Sequence, residues 1–369
     1  MQLQAPYAVW KLLDYGYGAL GNKLLMRLTR YLYLYFYGAF WSVIDNEELQ
    51  KKTSLQLQQA MVLCSEGEWN ALPEVLRVVQ DELSSALRTF YEKRITLQYD
   101  GEEIAFSWDA YEKSAQLRNS LAMELLVEIG HGEYPVGSYL PTAARLSAEK
   151  NVSVSTVRRA IGLLNSIGAV KSARTLGARV LPPSQSAENC DFTQPDLRRR
   201  LLEVAESLQI FALSVRAVSE VTLTSLDGAS LGKWKQFLLD FKERGRCERL
   251  IYASLVLISE YAPFQALRTV YSELLRLLFW GNPLQTMLGV SESGNLFFAP
   301  YFERILHSLD RRDIRCFSST LEFLVFHELQ RTVKVLTQLR IQGAENILIP
   351  DVYDLGAVEV NIPDNHLTV

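Results

Sequence analysis

The sequence predicts a mainly α protein, with two all-helical regions on either side of a compact segment of three helices and a β-hairpin. Three observations carry this. Apolar residues recur at helical spacing over 11–94 and again over 197–341. Between them, residues 118–180 hold eight basic side chains against four acidic ones, a net +4 in a chain whose total is −4. That basic island closes on an alternating strand–turn–strand pattern.

The chain has 369 residues and is 48% hydrophobic, enough for two or three domains with separate cores. Cys64, Cys190, Cys247 and Cys316 stand far apart with no CxxC or Cys/His pairing. This fits a reduced, cytoplasmic protein and argues against a disulfide framework or a zinc ribbon. The opening "MQLQAPYAVWKLLDYG" lacks the basic-then-apolar order of a secretory signal. In "RYLYLYFYGAFWSVI", residues 30–44, 12 residues are apolar, short of the ~20 that span a bilayer. The stretch reads as a buried, aromatic-rich core helix, with no membrane partner.

In order along the chain, residues 1–110 form a partial helical domain. Leu55, Met61, Leu72, Leu76, Val79, Leu83 and Leu87 give its helical period. It closes on a short hairpin, "ITLQYDGEEIAFSW", at 95–108, turning at Asp100-Gly101. Residues 115–181 are the basic central domain. "LPPSQSAENCDFTQPDL", residues 181–197, reads as a linker on its prolines and polar residues. Residues 197–345 are a second helical domain and 346–369 an irregular tail.

The two helical regions align on each other at an offset near 243–246. "LLMRLTRYLYLYFYGAF" lies on "RTVYSELLRLLFWGNPL", matching Gly38 with Gly281. "QQAMVLCSEGEWNALPEVLRVV" lies on "ERILHSLDRRDIRCFSSTLEFL", matching Met61, Leu72 and Leu76 with Leu306, Phe317 and Leu321. A duplicated domain, its first copy the shorter, is the reading this supports; two unrelated bundles with a shared rhythm are the alternative.

The central segment centres on "NVSVSTVRRAIGLLNSIG", residues 151–168. Val154, Val157, Ile161 and Leu164 fall at i, i+3, i+7 and i+10, one face of a helix. Ser155, Thr156, Arg158 and Arg159 point away from it. Ser153 reads as N-cap and Gly168 as stop. "NSLAMELLVEIGHG" supplies a preceding amphipathic helix with Leu121, Leu125, Leu126 and Ile129 on one side, and "TAARLSAEK" a short second one. "AVKSARTLGARVLP" alternates about Thr175-Leu176-Gly177 as a hairpin does. Three helices and a two-stranded wing make a winged helix-turn-helix, which places its third helix in the major groove of DNA and its wing on the flanking backbone. A basic patch in an acidic chain fits a polyanion partner.

"GEYPVGSYLPTAARLSAEKNVSVSTVRRAIGLLNSIGAVKSARTLGARV" resembles the DNA-binding domain of GntR-type transcriptional regulators. The resemblance covers roughly 65 of 369 residues. It rests on Tyr134-Pro135-x-Gly137-Ser138-x-Leu140-Pro141, on Val152-Ser153-x-x-Thr156-Val157-Arg158, and on Gly168 with Gly177. It implies a partner, double-stranded DNA, contacted through Ser153, Ser155, Thr156, Arg158 and Arg159 on the third helix and Lys171, Arg174, Gly177 and Arg179 on the wing. Two family arginines are absent, replaced by Ala144 and Val154, and Thr175 replaces the first wing glycine. An arginine–guanine pair contributes ~1–3 kcal/mol of discrimination, so sequence reading suffers more than backbone affinity. A protein-interaction scaffold that has lost specific DNA binding is the rival reading.

The C-terminal helices resemble the helical effector domain of the FCD branch of that family, and the N-terminal region resembles a truncated copy of it. That branch often binds a metal through an aspartate and three histidines. Arg249, Ala253, Phe302 and Leu324 stand at those positions here, so the resemblance implies no metal and no cofactor. His307 and His327, 20 residues apart, are the nearby histidines. A small-molecule effector fits the family, and the residues do not name one. Nucleophile–base pairs, a P-loop and a Rossmann fingerprint are absent from the sequence, so no enzyme is expected. With one winged helix per chain, reading two half-sites predicts a homodimer, paired through runs such as "YLYLYFYGAFW" and "LLRLLFW".

Overall fold

The computed structural model describes residues 17–44, 46–68, 70–94, 106–110, 116–173, 177–182, 185–281, 283–284 and 292–347. The chain divides into two compact units, one of Met1–Gly18 with Leu25–Phe106 and one of Ala19–Leu24 with Ser107–Val369.

Among the described residues four helices run through the first: α1 (Lys23–Tyr35), α2 (Tyr37–Ile44), α3 (Glu47–Glu66) and α4 (Leu72–Glu92). The unit boundary falls at the start of α1. Asn46 caps α3, its side chain accepting from the Glu48 and Leu49 amides at 3.0 and 3.1 Å. Gly67, at φ 74°, ends α3, and Pro73 sits in the first turn of α4.

The aromatic stretch 30–44 is two helices rather than one. The break falls at Phe36, where consecutive aromatic residues of modest helix propensity meet Gly38. Leu34 is 70% and Tyr35 42% exposed, so the stretch is not the buried core helix its composition suggests. Tyr31 and Tyr35 instead set their rings edge-on to Phe106, at 5.6 and 5.2 Å.

Apolar cover is thin throughout this unit. No residue of α4 is buried, and Leu55, Met61 and Leu76, members of the helical period, are 66, 72 and 46% exposed. Residues 95–105, holding most of the expected terminal hairpin, lie outside the described residues, as does the tail beyond residue 347.

The second unit opens on α5 (Gln116–His131), α6 (Ala143–Glu149) and α7 (Val154–Ser166). An antiparallel hairpin of β1 (Val170–Ala173) and β2 (Gly177–Val180) follows. Its register pairs Val170 with Val180, Lys171 with Arg179 and Ser172 with Ala178.

Among the described residues six longer helices then form a bundle: α8 (Pro195–Ser225), α9 (Gly228–Glu243), α10 (Leu250–Tyr261), α11 (Gln265–Leu278), α12 (Glu292–Arg311) and α13 (Ile314–Gln338). At 31 residues α8 is ~46 Å long, and every residue of 204–212 is buried. A helix buried all round is the axis of its bundle. α13 lies along it, and α11 meets it where Phe211 and Tyr271 stack edge-on at 5.0 Å.

Two buried polar residues of α8, Glu206 and Gln209, hold the segment before α1. The Asn22 side-chain amide donates to the Glu206 carbonyl and to Gln209 Oε1, both at 2.8 Å. The Glu206 carboxylate accepts from the Lys23 amide at 2.9 Å, a negative charge at a helix start.

The stretch 181–197 is more than a linker. Ser186 is 3% exposed, and an added Cβ at Gly168 would fall 2.2 Å from its carbonyl oxygen, so this strap packs on the end of α7. The aligned glycines also differ: Gly38 sits inside α2 in open space, whereas a Cβ on Gly281 would meet Val204 at 3.3 Å.

Candidate nucleic-acid interface

Asn151, at φ 50°, makes the tight turn that leads into α7. Ser153 then caps the helix, its hydroxyl accepting from the Thr156 amide at 3.1 Å. The same oxygen lies 2.9 Å from Ser155 Oγ and 2.8 Å from Thr156 Oγ1, so three hydroxyls gather at the positive end of the helix dipole.

The buried face of α7 is Val157, Ala160 and Leu164, continued by Ile167, each 0% exposed. Val154 and Ile161, counted in the expected stripe, are only half-buried at its edges. Packing of α7 on α5 and α6 fixes the opposite face. Ser155, Arg158 and Arg159 are exposed there and Thr156 is half-exposed. Neither arginine forms an ion pair among the described residues.

Most other cations of the domain are occupied. Lys150 at the end of α6 pairs with Glu124 at 2.8 Å and with Glu128, both on α5, and these carboxylates push its pKa up. Arg145 pairs with Glu149 at 2.6 Å, and Arg118 lies 4.0 Å from Asp196. The sequence count of eight basic residues thus overstates the charge offered to a ligand.

On the hairpin, Lys171 is exposed, with Nζ 3.4 Å from Asn189 Oδ1 on the strap. Arg179 is exposed too, but its Nε donates to the Gly137 carbonyl at 3.2 Å. Gly177 has φ 94°, as a tight turn requires. Arg174 lies outside the described residues.

Sequence reasoning missed one feature of this face. The connection between α5 and α6 runs beside β2, through Gly137 amide to Val180 carbonyl at 2.9 Å, Val180 amide to Ser138 carbonyl at 2.8 Å and Leu140 amide to Ala178 carbonyl at 2.9 Å. A run of turn residues gave no period-2 signal for it. It ties the hairpin to the helices, so both present their cations from one rigid frame. Exposed guanidiniums beside hydroxyls at a helix N-terminus suit a phosphate backbone.

The positions aligned with the metal ligands of the FCD branch hold no donors. Ala253, Phe302 and Leu324 are apolar side chains, each 0% exposed. Arg249 is a guanidinium whose pKa burial draws down. Among the described residues no three His, Cys, Asp or Glu side chains gather. His307 is exposed; His327 stacks on Phe297 at 4.5 Å, with burial lowering its pKa to about 4. No helix among the described residues is long and apolar enough to cross a membrane.

No curated protein matches the chain. Among solved structures, it is similar to a GntR protein of Streptococcus agalactiae, at 18% identity over 58% of this chain and 99% of that one, with TM-score 0.25. A putative GntR regulator from a Rhodococcus species gives 17% identity over 60% and 97%, with TM-score 0.31. A GntR family member from Pseudomonas syringae gives 18% over 64% and 91%, with TM-score 0.26. At the level of sequence, residues 117–180 match the model of the gntR family of bacterial regulatory proteins, and this stretch, from α5 through β2, is the GntR-like domain of a mainly helical chain.

Proposed function

We propose that the protein is a DNA-binding transcriptional regulator of GntR type, not an enzyme. Residues 115–181 act as a winged helix, with α7 in the major groove and β1–β2 on the flanking backbone. One observation carries this reading: among the described residues Arg158 and Arg159 stand exposed on α7 and without an ion pair, while Arg118, Arg145 and Lys150 are held by Asp196, Glu149, Glu124 and Glu128. A helix face kept free of counter-charges suits a ligand that supplies them. The FCD-like helices α8–α13 dimerise the chain and sense a small molecule, and no metal takes part.

A second reading follows from the exposure of Ala144 on α6 and the half-burial of Val154, where the family has arginines. In that reading the domain retains backbone contacts but reads no sequence. Selection of duplexes from a random pool by the full chain separates the two. Enrichment of a pseudo-palindrome supports the regulator. Binding that is salt-dependent but unenriched supports the scaffold, and no binding at moderate salt overturns both.

A further inference from the structure

A groove of about 370 Å³ runs between α9 and α10. Phe237, Asp240, Phe241 and Arg244 line it from α9 and its C-cap, and Tyr252, Val256 and Glu260 line it from α10. The first set recurs at i, i+3, i+4 and i+7 and the second at i, i+4 and i+8, so each is one stripe of its helix. Trp234 and Tyr261 stack at 6.3 Å, which sets the start of α9 against the end of α10. The stripes therefore run antiparallel, with Arg244 and Tyr252 toward one end and Phe237 and Glu260 toward the other. Arg249, Ala253, Phe302 and Leu324, aligned with the metal ligands of the FCD branch, do not line this groove.

Floor and charges together define what fits. Phe237, Phe241, Tyr252 and Val256 are half-buried, and the two phenyl rings meet edge-on at 5.2 Å. Aromatic faces cover a methylene stem and attract a cation. Asp240, Arg244 and Glu260 form no ion pair among the described residues; the Asp240 carboxylate accepts from the Gln236 side-chain amide at 3.0 Å. The three charges sum to −1, which disfavours a phosphate. Their order is specific. Asp240 precedes Arg244 by one helical turn, ~6 Å, and Glu260 stands two turns, ~12 Å, beyond Tyr252. A ligand that answers all three carries a carboxylate, an ammonium close to it, and a second cation at the end of an apolar stem. A basic α-amino acid has that pattern, and its net +1 complements the groove.

We propose that this groove binds a free basic α-amino acid of the lysine or arginine type. Its carboxylate meets Arg244 and its α-ammonium Asp240. The stem crosses Phe241 and Val256, and the side-chain cation reaches Glu260 at the Phe237 end. The inference rests on the small-molecule sensing in the function proposed above and gives it a site and a ligand class.

Calorimetric titration of the full chain with L-arginine and L-lysine tests it. One site per chain is expected. Agmatine, which is arginine without the carboxylate, is expected to bind about tenfold more weakly, because one charge-assisted contact is lost. Arg244→Ala and Glu260→Gln are each expected to weaken arginine binding by about tenfold for the same reason. Both side chains are exposed, so circular dichroism is expected to show the wild-type fold in each variant. No binding of either amino acid at millimolar concentration overturns the site. So does agmatine bound as tightly as arginine, or arginine bound equally by wild type and both variants. DNA binding through α7 would stand in all three cases. Saturating arginine is expected to change the affinity of the chain for duplex DNA. Arginine binding without that change overturns the sensing and leaves the site standing.

Discussion

Lys150 Nζ lies 2.8 Å from Glu124 Oε1, tying the last turn of α6 to α5. Glu128 takes the same ammonium from the next turn of α5, and its second oxygen is buried with no other partner. The clamp ties the residue before the turn at Asn151 to α5, so a cation that looks available for DNA holds the frame instead.

Lys150→Met is therefore expected to destabilise the protein by about 1–3 kcal/mol, more than an exposed ion pair, because it strands a half-buried carboxylate. Its effect on the salt dependence of DNA binding is expected to be nil, since Lys150 neutralises no phosphate. Urea denaturation measures the first and a salt titration of binding the second. A reduced slope would place Lys150 on the DNA.

Two glycines separate the cost of backbone conformation from the cost of contact. Gly132 and Gly168 have φ of 87° and 65°, but a Cβ on Gly132 meets nothing within 4 Å, whereas one on Gly168 falls 2.2 Å from the Ser186 carbonyl. Gly132→Ala is expected to cost about 1–2 kcal/mol, the strain of a left-handed residue alone. Gly168→Ala is expected to cost more than that, since the strap must move as well. Equal melting-temperature losses would contradict the packed strap.

His327 gives the second unit a pH dependence. Burial beside Phe297 and Phe323, with Arg331 adding repulsion, lowers its pKa to about 4. A base whose folded pKa is depressed contributes stability that is present above the unfolded value near 6.5 and lost as pH falls toward 4. The loss across that window is on the order of 2–3 kcal/mol. Glu328 is raised by burial and works in the opposite sense, so the difference between wild type and His327→Phe isolates the histidine. The phenylalanine keeps the ring stack. Melting curves of the two that run parallel from pH 7 to 4 would contradict this.

How far the sequence could be read depends on whether a residue acts alone or through a partner. The turn at Asn151, the cap at Ser153 and the stop at Gly168 are local backbone demands, and all three stand where the sequence places them. Pairing is not local. That Lys150 and Arg145 are engaged, while Arg158 and Arg159 have no ion pair among the described residues, depends on Glu124 and Glu128, a helix away, and on Glu149 one turn on. Burial is not local either: Leu76 and Leu321 occupy similar apolar patterns, yet one is 46% and the other 0% exposed. The break at Phe36 escaped notice because a run of aromatic residues reads as continuous apolar surface.

The central claim is that α7 holds DNA through Arg158 and Arg159. Binding of the full chain to a duplex, titrated with salt, tests it most directly in wild type and Arg158→Ala/Arg159→Ala. Each phosphate neutralised contributes about −0.9 to the slope of log affinity against log salt, so the double variant is expected to bind more weakly with a slope shallower by about 2. Were either arginine on a base edge, the slope would change by about 1 and preference would relax at one position of the site. A double variant that binds as tightly as wild type, with the same slope, would contradict the account.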